Sequence, residues 1–177
     1  MSKYILEVSR LMMRFGGLLA VNGVKLTIKE GQVVSMIGPN GAGKTTVFNC
    51  LTGFYQPTDG KIVFAGKEIQ GLPGHKIARK GMIRTFQHVR LFKEMTVLEN
   101  LLVAQHQHLN NSLLASLFKT PSYRKAEQEA LDNALYWLQK VRLVEDANRE
   151  AGTLAYGQQR RLEIARCMVT RPSLLML

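Results

Sequence analysis

The chain has 177 residues, enough for about one domain, and 46% of them are hydrophobic, which excludes a wholly disordered polymer. Lys and Arg number 24 against 13 Asp and Glu, a formal charge of +11 that calls for an anionic partner: nucleic acid, a phosphorylated ligand or a membrane surface. No apolar run is long enough to span a bilayer, the N-terminus MSKYILEVSR has no signal-peptide core, and Cys50 and Cys167 lack the paired spacing of a zinc site or disulfide framework.

In chain order, YILEV at 4–8 and VKLTI at 24–28 alternate like half-buried strands, and VVSMI at 33–37 is the nearly continuous apolar run of a strand buried on both faces. KTTVFNCL at 44–51 predicts a buried helix that Gly53 can stop. The turn QPTDG at 56–60 then leads into a strand, KIVFAG. IRTF at 83–86 is a short strand candidate. Residues 96–109 have helical spacing, with Thr96 as N-cap and Glu99 three residues on in a capping-box pattern. Residues 110–122 read as a loop-like insertion. The stripe Leu131, Ala134, Leu135, Leu138 and Val141 predicts an amphipathic helix over 124–142. Residues 158–170 predict another helix, and Pro172 breaks the chain before LLML, a buried strand candidate. The mixture is α/β, with a helix-rich stretch from about 96 to 150.

GPNGAGKT at 38–45 fits G-x-x-x-x-G-K-[ST], the P-loop. Gly38, Gly41 and Gly43 let the backbone of Gly38, Pro39, Asn40, Gly41, Ala42 and Gly43 curl around phosphates with its N–H groups inward. Lys44 brings a positive charge to the β- and γ-phosphates, Thr45 offers a hydroxyl to Mg²⁺, and Thr46 continues the helix whose N-terminus faces the anion. A strand before and a helix after supply the expected context, so nucleotide binding is expected. A P-loop alone does not name the reaction.

Farther on, TLAYGQQRRLEIARCMVTRPSLLML fills 153–177: a short turn at Leu154, Ala155, Tyr156, Gly157 and Gln158, an Arg-rich helix, then an apolar strand. With RFGG at 14–17 and GMIRTFQ at 81–87, these stretches resemble the nucleotide-binding subunits of ABC transporters over essentially the whole chain. MRFGGLLAVNGV, TVFNCLTGFYQPTDG and RTFQHVRLFKEMTVLENLLVAQH narrow the resemblance to branched-chain amino acid importers. It implies an α/β P-loop NTPase core with an antiparallel β subdomain and a helical subdomain at about 90–150, together one ATP-binding domain over 1–177. It also implies ATP and Mg²⁺ as cofactors, Phe15 stacking on adenine, LAYGQ at 154–158 as the signature, and Gln87 touching Mg²⁺ or the attacking water. Lys44 and Gln87 are then the catalytic-site residues.

The implied partners are membrane permease subunits, a second ATPase subunit, identical or different, and indirectly a periplasmic substrate-binding protein. The implied location is peripheral, on the cytoplasmic face of the bacterial inner membrane. The family's metal-binding Asp, catalytic Glu and switch His are expected beyond Leu177, so the chain reads as a truncated domain, binding ATP weakly and hydrolysing it poorly. The remaining alternatives are a soluble ABC-type ATPase of DNA repair or translation, and a non-hydrolysing nucleotide-binding fragment.

One departure stands out. The usual signature is Leu-Ser-Gly-Gly-Gln, and here Ala155 and Tyr156 replace Ser and the first Gly. Ala155 has no hydroxyl for a γ-phosphate, which predicts a weaker composite site in an asymmetric pair. Ala155→Ser is accordingly expected to raise ATPase at that site, and an unchanged rate in a steady-state assay counts against the idea. Against the resemblance stand blander readings: Phe15 as a core aromatic, Gln87 as an exposed loop residue, and His88, His106 and His108 as surface groups. Arg160, Arg161 and Arg166 read by default as solvated helix charges, and both cysteines as small apolar groups. The cations are scattered, with loose groups at Lys76, Arg79, Lys80 and Arg84, at Arg124 and Lys125, and at Arg160 and Arg161, and no nucleic-acid motif appears. Phosphates and anionic headgroups are the expected partners, not nucleic acid.

Overall fold

The computed structural model describes residues 4–85, 91–105 and 121–177. The chain divides into two compact units, Met1–Met82 and Ile83–Leu177.

The first unit is built on an antiparallel sheet of β1 (Leu6–Phe15), β2 (Leu18–Ile28), β3 (Asp59–Phe64) and β4 (Lys67–Glu68), in the order β2-β1-β3-β4. Both long strands outrun the five-residue segments that alternation marked, because a hairpin turn at Gly16-Gly17 joins them directly and pairs Phe15 with Leu18. The inward set on β1 is Leu6, Val8, Leu11 and Met13. The jump from 8 to 11 breaks the period of two, and the register with both neighbouring strands slips at the same place, a bulge that returns the apolar face to the core. α1 (Lys44–Leu51) occupies the predicted residues and buries Val47, Cys50 and Leu51, one face of a helix. The short α2 (Gly74–Arg79) was not foreseen; it buries Ile77 and exposes Lys76 and Arg79.

The buried strand expected at 33–37 is not formed. These residues carry no strand, with Val33 94% and Ile37 91% exposed. An apolar run specifies burial, but a strand exists only where a neighbour completes its hydrogen bonds, and no described strand lies alongside.

β5 (Met82–Arg84), in the second unit from Ile83 on, pairs with β6 (Leu174–Met176), and the Thr85 N–H extends the pairing to the Met176 carbonyl at 2.9 Å. Within the predicted LLML strand Met176 is buried, Leu174 and Leu175 are half-buried and Leu177 is exposed. Three helices supply the core: α3 (Val97–Gln105), α4 (Pro121–Lys140) and α5 (Tyr156–Met168). Val97, Leu101, Ala134, Leu138 and Leu162 meet there with essentially no exposure, each valine or leucine burial worth roughly 1.5–3 kcal/mol. Of the expected stripe, Ala134 and Leu138 are buried, while Leu131, Leu135 and Val141 are half-buried. The predicted insertion at 110–122 lies outside the described residues up to 120, and its last two residues belong to α4.

The capping box at α3 is complete: the Thr96 N–H donates to Glu99 Oε2 at 2.8 Å, and the Glu99 N–H donates to Thr96 Oγ1 at 3.2 Å. The backbone and hydroxyl donors of Thr96 hold the Glu99 carboxyl below the usual carboxylate range. One turn on, the buried Asn100 side chain accepts from the Phe92 N–H and donates to the Phe92 and Thr96 carbonyls, all at 2.9 Å, which fixes the approach to the helix. The segment then runs beside residues 147–152, with Val97 N–H to Arg149 O, Ala151 N–H to Met95 O and Gly152 N–H to Lys93 O at 2.9–3.0 Å.

Candidate functional site

The P-loop closes on itself at the start of α1. Lys44 Nζ donates to the carbonyls of Gly38 at 2.6 Å and Pro39 at 2.7 Å, so the ammonium sits inside the ring formed by the six preceding residues. Gly43 caps the helix with φ +81°, and the backbone N–H groups of Gly43, Lys44 and Thr45 have no hydrogen-bond partner among the described residues. One cation, several uncommitted N–H groups and a helix N-terminus are together the kind of arrangement that can hold a polyphosphate. The Thr45 side chain is exposed beside it, and Thr46 is half-buried.

Phe15 ends β1 and is 40% exposed, so it is not the core aromatic that one reading allowed. Its ring meets Tyr55 edge-on, centroids 5.2 Å apart, and Tyr55 meets Phe54 at 5.3 Å. The backbone N–H groups of Phe54 and Tyr55 both donate to Asn49 O, which ties this aromatic row to the far end of α1. Sequence reading missed Tyr55, whose signal was only an aromatic pair just after the helix stop. Gln87 lies outside the described residues, as do His88, His106 and His108.

In the second unit Leu154 is buried and Ala155 is the N-cap of α5. Alanine has no oxygen to cap with, so only half of a capping box forms: Gln158 Oε1 accepts from the Ala155 N–H at 3.1 Å. The N–H groups of Tyr156 and Gly157 remain without a partner among the described residues. Tyr156 is 67% exposed, with its hydroxyl accepting from Arg160 Nε at 3.0 Å.

The arginines after the signature are not the freely solvated charges expected of them. Arg160 also pairs with Glu163 at 2.9 Å, Arg161 donates to Val141 O at 2.9 Å, and Arg166 lies over the Phe92 ring at 5.3 Å. Each ties α5 to a neighbour or to its own next turn. Cys50 is buried and Cys167 half-buried, as read. Burial pushes both thiols up, Cys167 to about 11 despite the opposing Arg166 charge, so neither is poised as a nucleophile. A cavity of about 360 Å³ lined by Gln105, Glu129, Asn133, Thr170 and Arg171 includes no residue of the P-loop or the signature.

An antiparallel β unit carrying an aromatic, a P-loop helix, and a helical unit whose last helix starts at LAYGQ are the parts of an ATP-binding cassette. The chain belongs to the ABC transporter family, whose model matches residues 21–177. It is 75% identical over its whole length to the high-affinity branched-chain amino acid transport ATP-binding protein BraF of Pseudomonas aeruginosa, and 65% identical to LivG of Escherichia coli K12. It covers 69% of each of these relatives. Among solved structures, the ADP conformation of MJ1267, an ATP-binding cassette of an ABC transporter, matches 98% of the chain with a TM-score of 0.81 and 36% identity, the match covering 68% of that protein. CbiO1 of Clostridium perfringens, part of the ABC transporter complex cbiONQ, matches 98% of the chain with a TM-score of 0.79 at 26% identity, the match covering 64% of that protein.

Proposed function

We propose that the chain is the ATP-binding, ATP-hydrolysing part of an importer for branched-chain amino acids. The observation that carries this is the unbroken similarity of all 177 residues to relatives whose names specify that transport. The P-loop geometry is compatible with it. Lys44 Nζ, held by the Gly38 and Pro39 carbonyls, has a third N–H left for a phosphate oxygen, and the N–H groups of Gly43, Lys44 and Thr45 are left for the same anion. Phe15 and its buttress Tyr55 provide a surface for the adenine ring.

Mg²⁺ fits the donor set: it needs few protein ligands when phosphates supply the rest, and the Thr45 hydroxyl and Gln87 amide are the groups that would hold it. Bound there, it supplies charge neutralisation of the phosphates. No group of three or more acidic, His or Cys residues able to hold a metal alone occurs among the described residues.

The signature residues 154–158 serve the γ-phosphate of a second ATPase subunit through the Tyr156 and Gly157 N–H groups. The remaining partners are permease subunits and, through them, a periplasmic binding protein. No helix among the described residues is long and apolar enough to cross a membrane. The proposed placement rests on the transporter names of the relatives: peripheral, at the cytoplasmic face of the inner membrane, with residues 1–177 serving as one ATP-binding domain.

The test is reconstitution of the full-length subunit with its permease partners in proteoliposomes, reading uptake of labelled leucine. ATP-dependent uptake is expected. ATP hydrolysis without uptake would favour the soluble ATPase alternative, and ATP binding without either would favour a non-hydrolysing module.

A further inference from the structure

The signature helix begins at a residue that cannot cap it, and yet its first turn is anchored by a chain of side chains. Gln158 spends both ends of its amide: Oε1 accepts from the Ala155 N–H at 3.1 Å, and Nε2 donates to Asp146 Oδ2 at 3.0 Å. Asp146 uses its other oxygen, Oδ1, to accept from Arg149 at 2.6 Å. The Asp146 side chain is only 18% exposed, whereas that of Arg149 is 52% exposed, so the Gln158 bond is the more sheltered of the two. The loop bearing Asp146 is itself fixed, its neighbours Ala147 and Arg149 accepting from the Leu98 and Val97 N–H groups of α3. A continuous path of hydrogen bonds thus runs from α3 through Asp146 and Gln158 to the backbone of Ala155. That residue sits one position before the N–H groups of Tyr156 and Gly157, which have no partner among the described residues.

We propose that Asp146 is a positioning residue for the signature. Through Gln158 it sets the angle at which the Tyr156 and Gly157 N–H groups are presented to a phosphate held by the partner ATPase. This rests on the transport reading above. Asp146 acts through Gln158, its hydrogen-bond partner, and not on the phosphate itself. Without it Gln158 loses its outer anchor, its amide is free to rotate, and the hold of Gln158 Oε1 on the Ala155 N–H is loosened. Bond geometry at a reacting phosphate is sensitive to ångström-scale displacement, so the effect falls on turnover rather than on nucleotide affinity.

The experiment uses the full-length subunit assembled in its transporter complex. Asp146→Ala is expected to lower kcat for ATP hydrolysis roughly tenfold while leaving KM for ATP, the affinity of the isolated subunit for ATP and its melting temperature near wild type. Gln158→Glu sets two carboxylates against each other and is expected to lose as much. Adding Asp146→Asn to Gln158→Glu reverses the donor and the acceptor of the same bond, while the glutamate still accepts from the Ala155 N–H. The double variant is expected to recover kcat to within about threefold of wild type. Wild-type kcat in Asp146→Ala, or no recovery in the double variant, overturns the proposal. A wild-type complex that lacks ATPase activity overturns the transport reading and this inference with it. Normal wild-type turnover with an indifferent Asp146→Ala removes the inference alone.

Discussion

Replacing Lys44 with alanine is expected to weaken ATP binding about 100-fold, measured by calorimetric titration of the purified protein with Mg-ATP. Two losses combine. The ammonium is the one side-chain cation that the P-loop brings to the phosphates, and charge-assisted hydrogen bonds to phosphate oxygens are about twice as strong as neutral ones. The same ammonium closes the ring through Gly38 and Pro39, so alanine also leaves those carbonyls without their donor and the loop without its tie. The core of the first unit does not include Lys44, so the thermal transition should move little. Affinity within threefold of wild type would show that the phosphates bind elsewhere.

Gly43→Ala should damage both binding and folding. Gly43 has φ +81°, where an L side chain costs roughly 1–2 kcal/mol. A Cβ there would also stand 2.5 Å from the Ala20 carbonyl oxygen and 3.4 Å from Val21 Cγ2 on β2. The first contact is with backbone and cannot be relieved by a rotamer change. Either α1 lifts away from the sheet or the hairpin bends, and the expected total is about 2–4 kcal/mol in denaturant titration, with a parallel loss of ATP affinity. Gly41→Ala is the control: its φ is +83°, but nothing lies within 4 Å of a Cβ, so it should show the backbone cost without the collision. Equal effects from the two would remove the Ala20 contact from the explanation.

The local structure of the P-loop helix and of the α3 cap was legible because it is set by neighbouring residues. A P-loop needs its glycines, lysine and hydroxyl at fixed offsets, and α1 occupies the predicted residues. Thr96 and Glu99 satisfy each other within one turn, so their pattern survives without any knowledge of the rest. What depends on partners was not legible. The run at 33–37 has strand composition but no described strand beside it. The six residues of α2 begin at a glycine and carry one buried side chain, too few for a periodic signal. The link from Asp146 to Gln158 spans 12 residues across a loop, and neither residue type marks it in sequence. The arginines at 160, 161 and 166 read as solvent-facing because helical charges usually are, and their actual partners come from Val141, Glu163 and Phe92.

The two helix starts in the second unit invite a comparison. α3 has a full cap on its first turn, and its N–H groups are committed within the protein. α5 has an alanine in the same role, and forgoes a contribution of about 1 kcal/mol that serine or aspartate there would add. A helix end cannot give its amides to its own side chain and also offer them to a ligand. The less stable start is therefore the one left open to a ligand, and stabilising it by conventional helix engineering would compete with the phosphate proposed to dock there.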